Sequence, residues 1–235
     1  MLIMALDTTS EHGGVGLFRG AECLALVPNK GPANIFSISL FTLVDQALAQ
    51  AGLGLHEIDL YAVANGPGSF TGIRVGIAAA LAWGKAFDRP VRGVSVLQAM
   101  VQKAQPQDDF AFPILDARRG EFYTAAFRHT LQQDGRFIYQ SEGDGKVMKA
   151  TGLANLILEQ GLARGTAACL AREYDVTAHG LAHILPRTLR WQTVPNLLVD
   201  AIACLAQTQQ VSGVPPSELN AYYIRRSDAE LNWRG

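Results

Sequence analysis

With 235 residues, 49% of them apolar and 17% charged, the chain can bury a core without disulfide or metal staples. Its 20 Lys and Arg against 21 Asp and Glu leave none of the basic excess with which a domain grips nucleic acid on its own. Three scattered cysteines, Cys23, Cys169 and Cys204, form no CxxC and fit reduced thiols better than a disulfide or zinc framework.

"LIMALDTTS" is a short apolar run ending in Asp, the pattern of a buried strand. "EHGG" is a turn, and "VGLFRGAECLALV" reads as two strands around Gly20 and Ala21. From Ile35 to Ala51, the apolar positions Ile38, Phe41, Val44 and Leu48 recur at helical spacing, with Gly52 as the stop. "DLYAVA" is a strand feeding a glycine loop, a helix is expected from about Phe70 to Phe87, and "VRGVSV" is another strand. The second half restarts the pattern: "FAFPILDARRGEFYTAAFR" is an apolar strand ending in Asp116, a tight turn and an alternating strand, so Asp116 matches Asp7. Strands over 136–148 and 166–171 and a helix near 151–160 are expected next. "TVPNLLVDAIACLAQ" reads as a helix with Thr193 at the N-cap, Pro195 in the first turn and a stripe of Leu198, Ala201, Ile202 and Leu205. Two α/β halves meeting near residue 100 are the economical reading, and one continuous α/β domain is the alternative. "MLIMAL" carries no basic leader and the run Val75–Gly84 is too short to span a bilayer, which predicts a soluble cytoplasmic protein with no membrane partner.

"ANGPGSFTGIRVGIAAALAWGKAF" places a glycine loop at a helix start, where backbone N–H groups and the helix dipole favour an anion. The fingerprints fail, however. No Lys follows Gly72 as a P-loop requires, and Gly66-x-Gly68-x-x-x-Gly72 is one residue too long for a dinucleotide loop. Ser69, Thr71 and Thr8 read as caps or loop-bonding hydroxyls. Gly72, Gly76, Ala80 and Gly84 share one helix face at i,i+4 spacing. Such a face allows close approach either to this protein's own sheet or to another helix, in the same chain or in a partner. His179 and His183 of "HGLAH" have i,i+4 spacing but no accompanying Glu, and no metal site is expected. No nucleophile–base constellation is visible either.

"LDTTS", "GPGSFTGIRVGIAAALAWGKAF", "GVSVLQAM" and "ILDARRGEFYTAAF" resemble the bacterial TsaB (YeaZ) family, as does the tail "AYYIRRSDAELNW"; residues 126–215 are less distinctive. The resemblance implies the actin-like ATPase (ASKHA) α/β fold. Its two RNase-H-like domains, each a mixed sheet flanked by helices, would span 1–100, with partner-binding helices, and 101–235, with the C-terminal tail. It implies a non-catalytic subunit of the complex that installs threonylcarbamoyladenosine in tRNA. Such a subunit pairs with the catalytic subunit TsaD, meets TsaE and tRNA only through the complex, and forms a homodimer when alone. It implies no intrinsic cofactor and a nucleotide only at the joint with TsaD. Two features of this chain agree with lost catalysis. The first hairpin, "DTTS", has no glycine before Gly13, and the second, "DARRGE", puts two arginines where backbone would have to approach phosphate.

The expected interface comprises Phe41, Gly72, Arg74, Gly76, Ile77, Ala80 and Leu81. Gly66, Gly68, Ser69, Arg118 and Arg119 are candidates for an anion or subunit contact. Where the family has a charged cluster entering the first long helix, this chain reads "GPANIFSISLF", so Ile35, Phe36 and Phe41 are expected to make that surface more apolar. The competing readings are an active ATP-dependent kinase or ATPase on the same fold, a glycoprotease-like metallopeptidase, and direct tRNA binding.

Overall fold

The computed structural model describes all residues except 32–35, 132–136, 174, 176–179, 187, 209–218, 220, 222–223 and 225–235. Strands β1 (Leu2–Asp7), β2 (Gly14–Arg19) and β3 (Glu22–Pro28) form an antiparallel meander. Helix α1 (Phe36–Ala51) leads to β4 (Leu60–Gly66), which lies parallel to β1, and α2 (Phe70–Ala86) leads to β5 (Val91–Ser95), parallel to β4. After α3 (Val96–Ala104) come β6 (Phe110–Asp116), β7 (Glu121–Thr124), β8 (Phe127–Leu131), β9 (Phe137–Ser141) and β10 (Lys146–Lys149). Helix α4 (Ala150–Ile157) runs into a π-helical turn at Leu158–Leu162, followed by β11 (Ala167–Arg172), β12 (Arg190–Val194) and α5 (Val199–Thr208).

The first sheet has the order β3-β2-β1-β4-β5 and the second β10-β7-β6-β11-β12, with β8 and β9 extending its antiparallel side. Each sheet thus sets three antiparallel strands beside two parallel ones in corresponding order, with β8 and β9 inserted between β7 and β10 in the second, the RNase-H-like arrangement of the actin-like α/β class. In β1 the period-2 alternation sends Leu2, Met4 and Leu6 into a core shared with Val15, Leu17, Leu40, Val44 and Ile73 of the neighbouring elements. The opposite face is covered by α5, whose Ala201, Ile202 and Leu205 are buried together with Leu198 just before it. The Arg92 guanidinium, on β5, donates to the Ala206 carbonyl and ties the helix down.

The described residues of Met1–Ala99 and Leu197–Tyr223 form one compact unit, and those of Met100–Asn196 and Ile224–Gly235 the other. The segment expected as 101–235 therefore gives up α5 to the first unit, because its apolar stripe closes the back of the first sheet. Thr193 does not cap that helix. It pairs with Ala171 in β12, so the helix starts only at Val199. The stretch expected as one strand over 136–148 is split into β9 and β10 around Gly143, whose φ of 126° suits glycine. No described helix is long and apolar enough to cross a membrane.

Candidate functional site

The glycine loop is bound to the first hairpin. Asp7 is fully buried, and its Oδ1 accepts hydrogen bonds from the Thr9 N–H at 3.0 Å and the Thr9 hydroxyl at 2.6 Å. The Ser69 N–H donates to the Thr9 carbonyl at 2.7 Å, and the Thr8 hydroxyl donates to the Gly72 carbonyl at 2.6 Å. Ser69 caps α2 by accepting from the Gly72 N–H at 3.3 Å. The Ser69 and Gly72 amides, two donors an anion would need, are thus engaged by protein acceptors.

The small-residue ridge of α2 faces inward. A Cβ on Gly72 would lie 1.9 Å from the Thr8 carbonyl oxygen, and one on Gly76 would lie 2.4 Å from Thr8 Oγ1. At Gly84 it would lie 2.4 Å from Val91 Cγ2, and at Gly68 2.6 Å from the Thr9 carbonyl oxygen. Ala80 is fully buried and Ile77 joins the same core. Of the expected interface, Gly72, Gly76, Ile77 and Ala80 are turned inward, where they let α2 settle on its own sheet and on the residues that follow β1.

The outward face is a different set of residues. On α1, Ile38 is 77% exposed and Phe41 57% exposed. On α2, Arg74, Ala78 and Ala82 are exposed and Leu81 is half-buried. Phe41 meets the edge of Trp83 at 6.0 Å between ring centres, and Trp83 leans on buried Tyr61 at 5.8 Å. The Tyr61 hydroxyl donates to the Leu55 carbonyl at 3.0 Å, and burial pushes its pKa up to about 12. Arg74 lies over the Phe70 ring at 3.8 Å, which holds its guanidinium against the first turn of α2. Phe36, expected on this surface, is buried, and Ile35 lies outside the described residues. Of the four positions at helical spacing, Val44 and Leu48 lie on the buried face with Phe36, Leu40, Leu43 and Ala47, while Ile38 and Phe41 point to solvent.

Arg118 and Arg119 stand in the tip between β6 and β7, well away in sequence from this face. Both are exposed, with φ of 63° and 57°, and Gly120 follows at 71°. The left-handed conformation costs a residue with a Cβ about 1 kcal/mol or more. The tip is fixed by the Arg118 N–H donating to Asp116 Oδ1 at 2.7 Å and by the Glu121 N–H donating to the Arg118 carbonyl at 3.0 Å. Below it, the buried Asp175 accepts from the Asp116 N–H at 2.8 Å.

Among the described residues, no group of three or more His, Cys, Asp and Glu is placed to hold a metal; His183 is described and His179 is not. Burial pushes the Cys23 and Cys204 thiols up, with the Asp200 carboxylate adding to the effect, and burial alone pushes Cys169 up. All three shifts disfavour the thiolate a cysteine nucleophile requires.

The paired sheets and clamped glycine loop define an actin-like α/β protein, and comparison with known proteins gives the family. The chain belongs to the family whose model, described as TsaD: tRNA N6-adenosine threonylcarbamoyltransferase, matches residues 33–161, and its relatives there are the TsaB (YeaZ) proteins. It is 38% identical over 148 residues to the tRNA threonylcarbamoyladenosine biosynthesis protein TsaB of Haemophilus influenzae, covering 60% of this chain and 61% of that protein. It is 32% identical over 131 residues to the protein of the same name from Bacillus subtilis, covering 55% and 56%. The chain thus spans less than two thirds of the length of these curated relatives. The structure of YeaZ from Pseudomonas aeruginosa shares the fold, with a TM-score of 0.71 at 23% identity over 95% of this chain and 100% of that one.

Proposed function

We propose that this chain is a non-catalytic subunit of the machinery that makes threonylcarbamoyladenosine in tRNA, pairing with a TsaD-type catalytic subunit through the outward face of α1 and α2. The observation that carries the reading is the apolar pair Ile38 and Phe41, 77% and 57% exposed one turn apart, beside the low ground of Ala78 and Ala82. Large side chains next to small ones form the knob-and-hollow relief into which a second helix pair packs. Arg74, braced on Phe70, supplies a charge at the rim of that face. The clamped glycine loop and the raised thiols support the absence of chemistry in this chain. The chain needs no cofactor of its own, a nucleotide belongs to the joint with TsaD, and TsaE and tRNA join through the complex. Alone, it pairs with itself through the same face.

The test is co-purification with the TsaD-type protein of the same organism, together with the level of the modified nucleoside in a strain depleted of this chain. Ile38→Glu with Phe41→Glu is expected to reduce pairing by a hundred-fold or more, about 3 kcal/mol, because it puts carboxylates in an apolar contact. The monomer's fold should survive, since neither residue is buried. Full pairing by this variant, or turnover of ATP in the presence of magnesium by the isolated chain, would overturn the proposal.

A further inference from the structure

The end of β4 carries a carboxamide that the fold leaves unanswered. Pairing with β5 passes from Ala64 and Val94 to Gly66 and Ser95, so Asn65 is the extra residue of a bulge, a device that re-aims a side chain. Its Oδ1 is buried and has no hydrogen-bond partner. With virtually no accessible surface, the oxygen cannot be reached by water either. The packing around it therefore carries the cost of a stripped acceptor, which an apolar group of the same shape would not impose. Beside it, Gly93 lies opposite Val63 on β5, the edge strand of the first sheet. A Cβ on Gly93 would lie 2.5 Å from Leu219 Cδ1 and 2.9 Å from Asn65 Nδ2. The two side chains therefore converge in the notch that the missing side chain leaves. Leu219 and Ala221, in the tail beyond α5, belong to the first unit and are only partly buried against its core. At this spot an apolar contact that holds the tail meets a desolvated amide that opposes it.

We propose that the tail at Leu219 and Ala221 is a releasable strap on the first unit. Leu219 in the Gly93 notch closes it, and the stranded Asn65 carboxamide keeps the closure shallow, because lifting the strap returns that amide to water. The strap opens and shuts while the rest of the unit stays folded, as a local opening of low free energy. Lifting it uncovers the carboxyl end of β4, the point from which the glycine loop departs for α2. The strap does not depend on the function proposed above.

The experiment measures the rate at which a maleimide labels Ala221→Cys in native buffer, in the full chain with the exposed Cys23 and Cys204 changed to Ser. Adding Asn65→Leu, close to asparagine in shape but without polar atoms, is expected to slow labelling about ten-fold. Leu219→Ala is expected to speed it about ten-fold, since it removes the side chain that fills the notch. Gly93→Ala, whose new methyl displaces Leu219 and Asn65, should also speed it, and decides the matter if Asn65→Leu does not fold. Cys169, buried in the second unit, stays in place and reports unfolding of the chain; its labelling should be equally slow in every variant. Labelling at position 221 that a folded Asn65→Leu leaves unchanged or accelerates would overturn the shallow closure. Unchanged labelling in Leu219→Ala and Gly93→Ala would overturn the strap itself. So would Cys169 labelling that rises in step with position 221, because the opening would then be unfolding of the whole chain.

Discussion

In the first unit the strand-ending Asp7 is fully buried and accepts two hydrogen bonds from Thr9, whereas in the second the matching Asp116 is exposed and accepts from the amide of Arg118. The space beneath each hairpin is filled differently. In the first it is filled by backbone, with the Gly68–Gly72 loop set against Thr8 and Thr9. In the second it is filled by a side chain, with Asp175 accepting the Asp116 N–H. Backbone against backbone demands glycine and leaves no room, so the conspicuous glycine motif is architecture. With a side chain as filler, no glycine loop is set against the second hairpin, and its tip carries two exposed arginines. The same topology has placed rigidity in one unit and an exposed charge in the other.

The sharpest way to break this comparison is Gly76→Leu. If the α2 ridge is architecture, a leucine must displace Thr8 and Val63, whose atoms lie 2.4 Å and 3.2 Å from the new Cβ alone. The expected cost is about 3 kcal/mol or more, with a large drop in Tm or loss of soluble protein. A folded variant with unchanged Tm would return the ridge to the surface. The next effect is smaller. Thr8→Val removes the donor to the Gly72 carbonyl while keeping the shape, at a cost of about 1–2 kcal/mol. That is a Tm lower by about 2–8 °C, at about 2–4 °C per kcal/mol for a domain of this size. Thr71→Val, at an exposed position on the same helix, is the control. Equal melting of the two variants would show that the clamp contributes nothing.

The succession of strands and helices in the first half, the long helices and the Asp7–Asp116 correspondence were legible because each rests on local pattern: apolar runs ending in Asp, 3.6-residue periodicity and glycine stops. What failed depended on tertiary context. The ridge Gly72–Gly76–Ala80–Gly84 was visible as a face, but spacing alone cannot say whether a sheet or another subunit occupies it; Thr8, 64 residues before Gly72, decides that. On α1, apolar residues lie on two faces, and the stripe through Ile38 and Phe41 mixed them. Counting all of Phe36, Leu40, Leu43, Val44, Ala47 and Leu48 would have found the buried face and left Ile38 and Phe41 as the remainder. α3 and β12 went unread, β12 because "RWQTV" earns its strand from parallel pairing with β11 and carries no continuous apolar run. The strain at Arg118 and Arg119 has no signature in one sequence beyond arginines standing where a tight turn prefers Asn-Gly.

The smallest effect expected is electrostatic and belongs to the second unit. Glu142 accepts two hydrogen bonds from the Arg164 guanidinium, at 2.5 and 3.0 Å, and Arg164 lies 4.7 Å from the centre of the Phe110 ring. The bidentate bond from Arg164 holds the Glu142 carboxyl below its usual range. Because the folded state prefers the charged form, the pair stabilises the protein at neutral pH, above the unfolded carboxyl's pKa. That contribution disappears as pH falls through the lower, folded value. Glu142→Gln should therefore melt slightly below wild type at pH 7, and the gap should narrow as pH falls through the carboxyl's lowered folded value. Asp109, held down by hydrogen bonds from the Thr166 amide and hydroxyl, adds a second acid-sensitive contact on the same sheet. The double variant Glu142→Gln, Asp109→Asn should flatten the acid limb of the melting profile further than either change alone. A gap between Glu142→Gln and wild type that stays undiminished down the whole acid limb would assign the effect to packing of the Arg164 stem on Phe110 and remove the charge from the account.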